Sequence, residues 1–171
     1  MGCDIHLYSE IYSETTKKWE TFDLWERNEY YREPSPDATD EEIEDISWEG
    51  PWVVSEIDDH RWYQKFGILS PGVRYEPEGP TAKKRGWPDD ACSKNDTLYK
   101  RWGADAHSAN HITITEFRLL VAQYRVLRGA DSPLGPMHER VEAHIKRKLK
   151  WPHVIEKQNM DHIRLVYWFD N

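Results

Sequence analysis

Asp4 and His6 are separated by one residue in the opening run Met-Gly-Cys-Asp-Ile-His. On a β-strand, positions i and i+2 share a face, so a carboxylate and an imidazole at this spacing converge on one point. That pair of side chains suits a divalent ion such as Zn, Mn or Fe, and water on such an ion can become a nucleophile. Asp105-Ala106-His107 repeats the spacing later in the chain. Together the two elements offer Asp4, His6, Asp105 and His107 as a four-residue metal set, with Asn110 and His111 close by as further ligands or a proton carrier. Either pair alone is equally a wet strand face, since Asp-x-His arises often by chance.

A second kind of chemistry is suggested by Arg74, by Lys83-Lys84-Arg85 and by Trp87. Arginine forks suit phosphate, and an aromatic face can stack on a base. Ordinary surface charge around an aromatic plug is the plainer alternative. Asp90, in Pro-Asp-Asp, is a further carboxylate, although that tripeptide is also a common turn. Cys3 or Cys92 with His107 would make a nucleophilic pair, but no local signature supports it and small buried thiols are common. His138-Glu139-Arg140-Val141-Glu142 misses the His-Glu-x-x-His zinc pattern at its last position. There is no glycine-rich phosphate loop.

The elements that must position these groups are legible in parts. Cys3 to Tyr12 alternates, with Ile5, Leu7 and Ile11 on one face and Asp4, His6, Tyr8, Glu10 and Tyr12 on the other. Residues 14–17 read as a turn and Lys18 to Trp25 as a second strand, so residues 3–25 are predicted to be a hairpin. Residues 33–51 read as an acidic loop, with seven acids between Asp37 and Glu49 and a short helix starting at Thr39-Asp40-Glu41-Glu42. Asp58 or Asp59 is expected to cap a helix through Phe66, with Trp62 and Phe66 buried and Gly67 as its stop. Residues 70–111 are full of breakers and read as a long irregular segment, a feature that usually serves a function. Thr113-x-x-Glu116 is a capping box, followed at helical spacing by Ile114, Phe117, Leu120, Val121, Tyr124 and Leu127 up to Gly129. Residues 136–150 form another helix with a basic end, and His162 to Phe169 a closing strand.

The chain is long enough, at 171 residues, for one domain with a real core. Its nine Trp, nine Tyr and four Phe offset a hydrophobic content of 38%. The net charge of -8 is uneven: residues 1–60 hold 18 acids and 4 bases, residues 61–171 hold 13 acids and 19 bases. Internal charge pairing is one reading and local cationic patches for an anionic ligand the other. Overall acidity argues against a duplex-DNA binder. Two cysteines cannot make a disulfide framework, no stretch approaches the ~20 apolar residues of a membrane helix, and nothing resembles a secretion signal. Gly2-Cys3 looks like a lipidation signal, but position 6 is His where myristoylation needs Ser or Thr. A cytoplasmic protein is expected.

Several segments are familiar in type: Met-Gly-Cys-Asp-Ile-His, Phe66-Gly-Ile-Leu-Ser-Pro-Gly-Val-Arg74, Arg85-Gly-Trp-Pro-Asp-Asp90, Gly103-Ala-Asp-Ala-His-Ser108 and Tyr167-Trp-Phe-Asp-Asn171. Together they resemble a widespread family of small bacteriophage and prophage proteins of unknown function. The resemblance implies an accessory protein working in the host cytoplasm, and draws attention to Asp4, His6, Arg74, Asp90, Asp105, His107 and Ser108. An opening Asp-x-His strand is also similar to that of calcineurin-like metallophosphoesterases, whose later motifs are absent here.

The expected architecture is α/β, in the α+β sense: a small mixed or antiparallel sheet holding the first and last strands, with about three helices on one face. The opposite face or the strand ends would carry function. Two functions are open. One is a metal-dependent phosphoester or nucleotide hydrolase in which Asp4, His6, Asp105 and His107 hold the ion, His111 or Asp90 moves protons, and Arg74, Arg85, Trp87 and Ser108 bind substrate. The other is a non-catalytic binding protein that sequesters a nucleotide-like host ligand or blocks a host protein, through the same cleft or the acidic 33–51 surface.

Overall fold

The alternation that opens the chain becomes β1 (Ile5–Ser13), whose turn at residues 14–17 holds Lys17 at φ 55° and returns the chain as β2 (Lys18–Thr21). A computed structural model of the chain describes residues 2–42, 50–58, 60–149 and 160–170. Two compact units result, Met1–Phe22 with Glu56–Asn171, and Asp23–Ser55. The smaller unit contains a two-stranded antiparallel sheet, β3 (Trp25–Arg27) with β4 (Trp52–Val54). Within it Thr39 and Glu42 form a reciprocal helix-capping pair, as expected, and residues 43–49 of the predicted acidic loop lie outside the described residues.

In the larger unit a four-stranded antiparallel sheet runs in the order β2-β1-β6-β5, with β5 at His107–Thr113 and β6 at Ile163–Phe169. The first and last strands therefore lie side by side, with Ile5 opposite Phe169 and Glu10 opposite Arg164. Side chains alternate across a strand, so Ile5, Leu7, Ile11, Ile163, Leu165, Tyr167 and Phe169 share one face. That face joins the core with Phe66, Ile68 and Leu69 of α1 (Tyr63–Leu69), Phe117, Leu120 and Val121 of α3 (Ile114–Arg128), and Met137, Val141 and Ile145 of α4 (Gly135–Leu149). Thr113 and Glu116 make the predicted capping box, and Gly129, at φ 61°, ends α3 in a conformation that favours glycine. No helix among the described residues is long and apolar enough to cross a membrane.

Three expectations change. The helix assigned to residues 58–66 is α1, which starts five residues later with Trp62 at its N-cap. Asp58 does not cap it, and Asp59 lies outside the described residues. Gly67 sits inside this helix rather than ending it, and the position demands glycine because a Cβ there would collide with the Tyr75 carbonyl oxygen where the following chain crosses. The segment 70–111 is also only partly irregular: Ser93–Trp102 is α2, and β5 follows a 3₁₀ turn at Gly103–Asp105. Finally, the opposite sheet face is not left open. Trp102 of α2 packs on His6, and Trp87 and Tyr99 pack on Trp168, so among the described residues the sheet has three helices on one side and one on the other.

Candidate functional site

His6 leaves β1 on the face covered by α2 and is 8% exposed. Its Nδ1 lies 2.6 Å from a Glu56 carboxylate oxygen and its Nε2 3.3 Å from Asp170. The Tyr8 hydroxyl donates to the same Glu56 oxygen at 3.2 Å. The ring stacks between Trp102 and Trp168, with centroids 4.3 and 5.3 Å away. Burial opposes a charge here, but hydrogen bonds and charge from Glu56, then Asp170, outweigh it and hold the imidazole above its usual range. With a carboxylate on each nitrogen, this is an imidazolium clamp joining β1, the end of β6 and residue 56. A general base needs a nitrogen lone pair, which this clamp does not offer.

A group whose folded pKa exceeds its unfolded value of about 6.5 adds stability that is complete below that value and fades as pH climbs through the folded one. The stability difference between wild type and His6→Gln should accordingly be greatest in mildly acidic solution and shrink in alkaline solution. Urea unfolding across a pH series measures it; a difference that stays flat or grows with pH would refute the clamp.

Asp4 is engaged elsewhere. Both of its carboxylate oxygens take the Arg61 guanidinium, one at 2.6 Å, and this pairing holds its carboxyl below the ordinary range. Asp4, just before β1, and His6, on it, thus take different partners and share no ligand point.

The second Asp-x-His pair does not join the first. His107 lies opposite Phe169 in the ladder and stacks on its ring, whereas His6 lies opposite Trp168. Consecutive residues point to opposite faces, so the two imidazoles are two strands apart on different sides of the sheet. The cause is a bulge: three steps from His107 to Asn110 match two from Phe169 to Tyr167, with Ser108 at φ 51°. In a regular strand His107 would share a face with His111; the extra residue turns it to the other side. Asp105 is exposed in the 3₁₀ turn. Among the described residues no three His, Cys, Asp or Glu side chains are placed to hold a metal ion.

The other predicted residues are likewise dispersed. The Arg85 guanidinium is spent on the Glu116 carboxylate, with a further bond to the His111 carbonyl. Trp87 stacks on Tyr99 at 4.3 Å and donates to Asp96. Arg74 donates to the Gly2 carbonyl, and the Ser108 carbonyl accepts from Ser70. His111 donates from Nδ1 to the Gly86 carbonyl; burial, then Arg164 and Arg85, keep it below its usual range despite that bond. Asn110, buried, is a knot: it donates to Leu69, Lys83 and Tyr167 and accepts from the Arg85 amide. Burial pushes the Cys92 thiol up to about 12, which removes it as a nucleophile at neutral pH.

Sequence reasoning passed over the best-organised polar group in the sheet. Glu10, fully buried, accepts from the Arg164 guanidinium at 2.7 and 2.8 Å, from the Cys92 amide and from the Asn95 carboxamide. Arg164 also donates to Asp90 at 2.8 Å and lies 3.9 Å from the Trp19 ring centroid. Opposite charges on the polar faces of β1 and β6 were the available signal, but the pairing of those strands was not.

Beside this network is an open groove of about 860 Å³ between the β1–β2 hairpin and the start of α2. Tyr12 and Trp19 line it as an edge-to-face pair, together with Lys17, Lys18, Glu20, Asp90, Ser93 and Lys94. Asp90 is the one predicted site residue that reaches it. No family model matches the chain, and no match is found among curated proteins or solved structures.

Proposed function

We propose that this chain is a binding protein that holds a small nucleotide-type anion in the groove between the hairpin and α2 without turning it over. The observation that carries this reading is the meeting of the Tyr12 and Trp19 rings with Lys94 around one open volume. Groove volume falls within the range of small-molecule sites. Trp19, backed by Arg164, offers a rigid platform for a base. Lys94 supplies a cation for a phosphate, and Asp90 an acceptor for sugar hydroxyls. The resemblance to small phage proteins of unknown function implies an accessory protein in the host cytoplasm, where sequestering such a ligand would be its role.

Calorimetric titration with a panel of nucleoside mono- and diphosphates tests the proposal. Trp19→Ala should cost about 1–3 kcal/mol of binding, the usual worth of a base–aromatic stack, and Lys94→Glu should weaken binding in a salt-dependent way. Nucleotide should be recovered intact. Hydrolysis of a nucleotide or phosphodiester that needs added metal and disappears in Asp4→Ala and His107→Ala would instead restore the metal-dependent hydrolase reading.

A further inference from the structure

The segment Asp23–Ser55 carries 11 acids and 2 bases, a balance of -9 within 33 residues. Glu26, Glu29, Glu33, Asp37, Asp40 and Glu41 are all exposed, and none makes an ion pair among the described residues. Of the two bases, Arg32 directs its guanidinium at the Glu29 and Tyr31 carbonyls rather than at a carboxylate. Self-repulsion on this scale has a cost. The same unit displays apolar surface: Tyr30 is 85% exposed, Trp52 54% and Val53 41%. Among the described residues, Trp52 and Val53 lie on β4, which pairs with β3 alone in a two-stranded sheet, an arrangement that is marginal by itself and leaves outer edges for a further strand.

We propose that this unit is a docking surface for a basic protein segment, which lies along the β3–β4 sheet with an apolar side chain on Trp52 and its cations over the surrounding carboxylates. Charge complementarity selects the occupant: six unneutralised carboxylates repel an acidic partner or a nucleic acid and steer a cationic one. Trp52 has the character of an interface anchor, a large exposed ring within a charged rim. Added strands gain backbone hydrogen bonds from an open sheet edge and specificity from alternate side chains, so an extended segment alternating Lys or Arg with Leu or Val fits best. The groove beside α2 plays no part in this surface.

Fluorescence anisotropy of a labelled alternating Lys/Leu peptide against the full-length protein tests the idea, with an alternating Glu/Leu peptide as control. The basic peptide should bind, weaken steeply with salt, and lose about thirtyfold in affinity on Trp52→Ser, as an aromatic anchor would. Glu26→Lys, an exposed change on β3, should also weaken it, while Trp19→Ala should leave it unchanged. Unaltered affinity in both Trp52→Ser and Glu26→Lys would overturn the proposal, as would equal affinity for the acidic peptide. So would displacement of the peptide by Trp19→Ala, which would move binding to the groove, or saturable binding of magnesium alone that blocks the peptide, which would make the carboxylates a cation site.

Discussion

Replacing Arg164 with methionine should lower stability by about 3–5 kcal/mol, the usual cost of leaving a buried charge without its partner. Arg164 is 5% exposed, and Glu10 opposite it is fully buried. Without the guanidinium, the Glu10 carboxylate keeps only the Cys92 amide and the Asn95 carboxamide. Asp90 and the Trp19 ring lose their shared support in the same step. A double variant, Glu10→Leu with Arg164→Met, removes both charges and should lose less than the sum of the single changes, because no charge is then stranded. Urea denaturation of the four proteins measures this coupling, and strictly additive losses would contradict it.

Asp58→Ala should have an effect of similar size for a related reason. Lys65 of α1 is 1% exposed, and its ammonium lies 2.6 Å from Asp58, which is itself 2% exposed. Asp58 also accepts from the Arg140 guanidinium on α4 and from the His60 amide at 3.2 Å. Removing the carboxylate takes a counter-ion at 2.6 Å from a buried ammonium, at about 3–5 kcal/mol. Lys65→Met should cost less, since Asp58 would keep Arg140. The ranking of the two variants by thermal or urea unfolding is the check; the reverse order would mean that Arg140, and not Lys65, is the main partner of Asp58.

These two ion-pair centres also mark where the sequence stopped being readable. β1, the hairpin turn, α3, α4 and β6 follow from apolar spacing and capping residues, and each lies within a few residues of its predicted place. α2 and β5 escaped because their packed side chains are not an apolar stripe. α2 faces the sheet with Asn95, Tyr99 and Trp102, and β5 anchors itself through Asn110. Periodicity of hydrophobic residues has no grip on such segments. α1 was misplaced because Asp58, a good capping residue by type, is used as a buried counter-ion.

The site was legible only at the level of one strand. Spacing puts residues two apart on one strand face, but Asp4 lies just before β1, and whether a distant pair converges with His6 depends on strand order and on a single bulged residue. Ser108 decides that His107 faces the helices of the core side. Glu56 and Asp170, which close on His6, come from the link between β4 and α1 and from the residue directly after β6, where no periodicity announces a role. Trp19 and Lys18 looked like an ordinary strand until α2 was folded beside them.

The groove reading rests most directly on where a ligand touches the protein. Backbone amide resonances recorded while a nucleoside diphosphate is titrated in would show this residue by residue. The expected result is a set of saturable shifts centred on Lys18, Trp19, Asp90, Ser93 and Lys94, with His6 and His107 unmoved. Shifts confined to Asp4, His6, Asp105 and His107, or no shift anywhere at millimolar ligand, would contradict it.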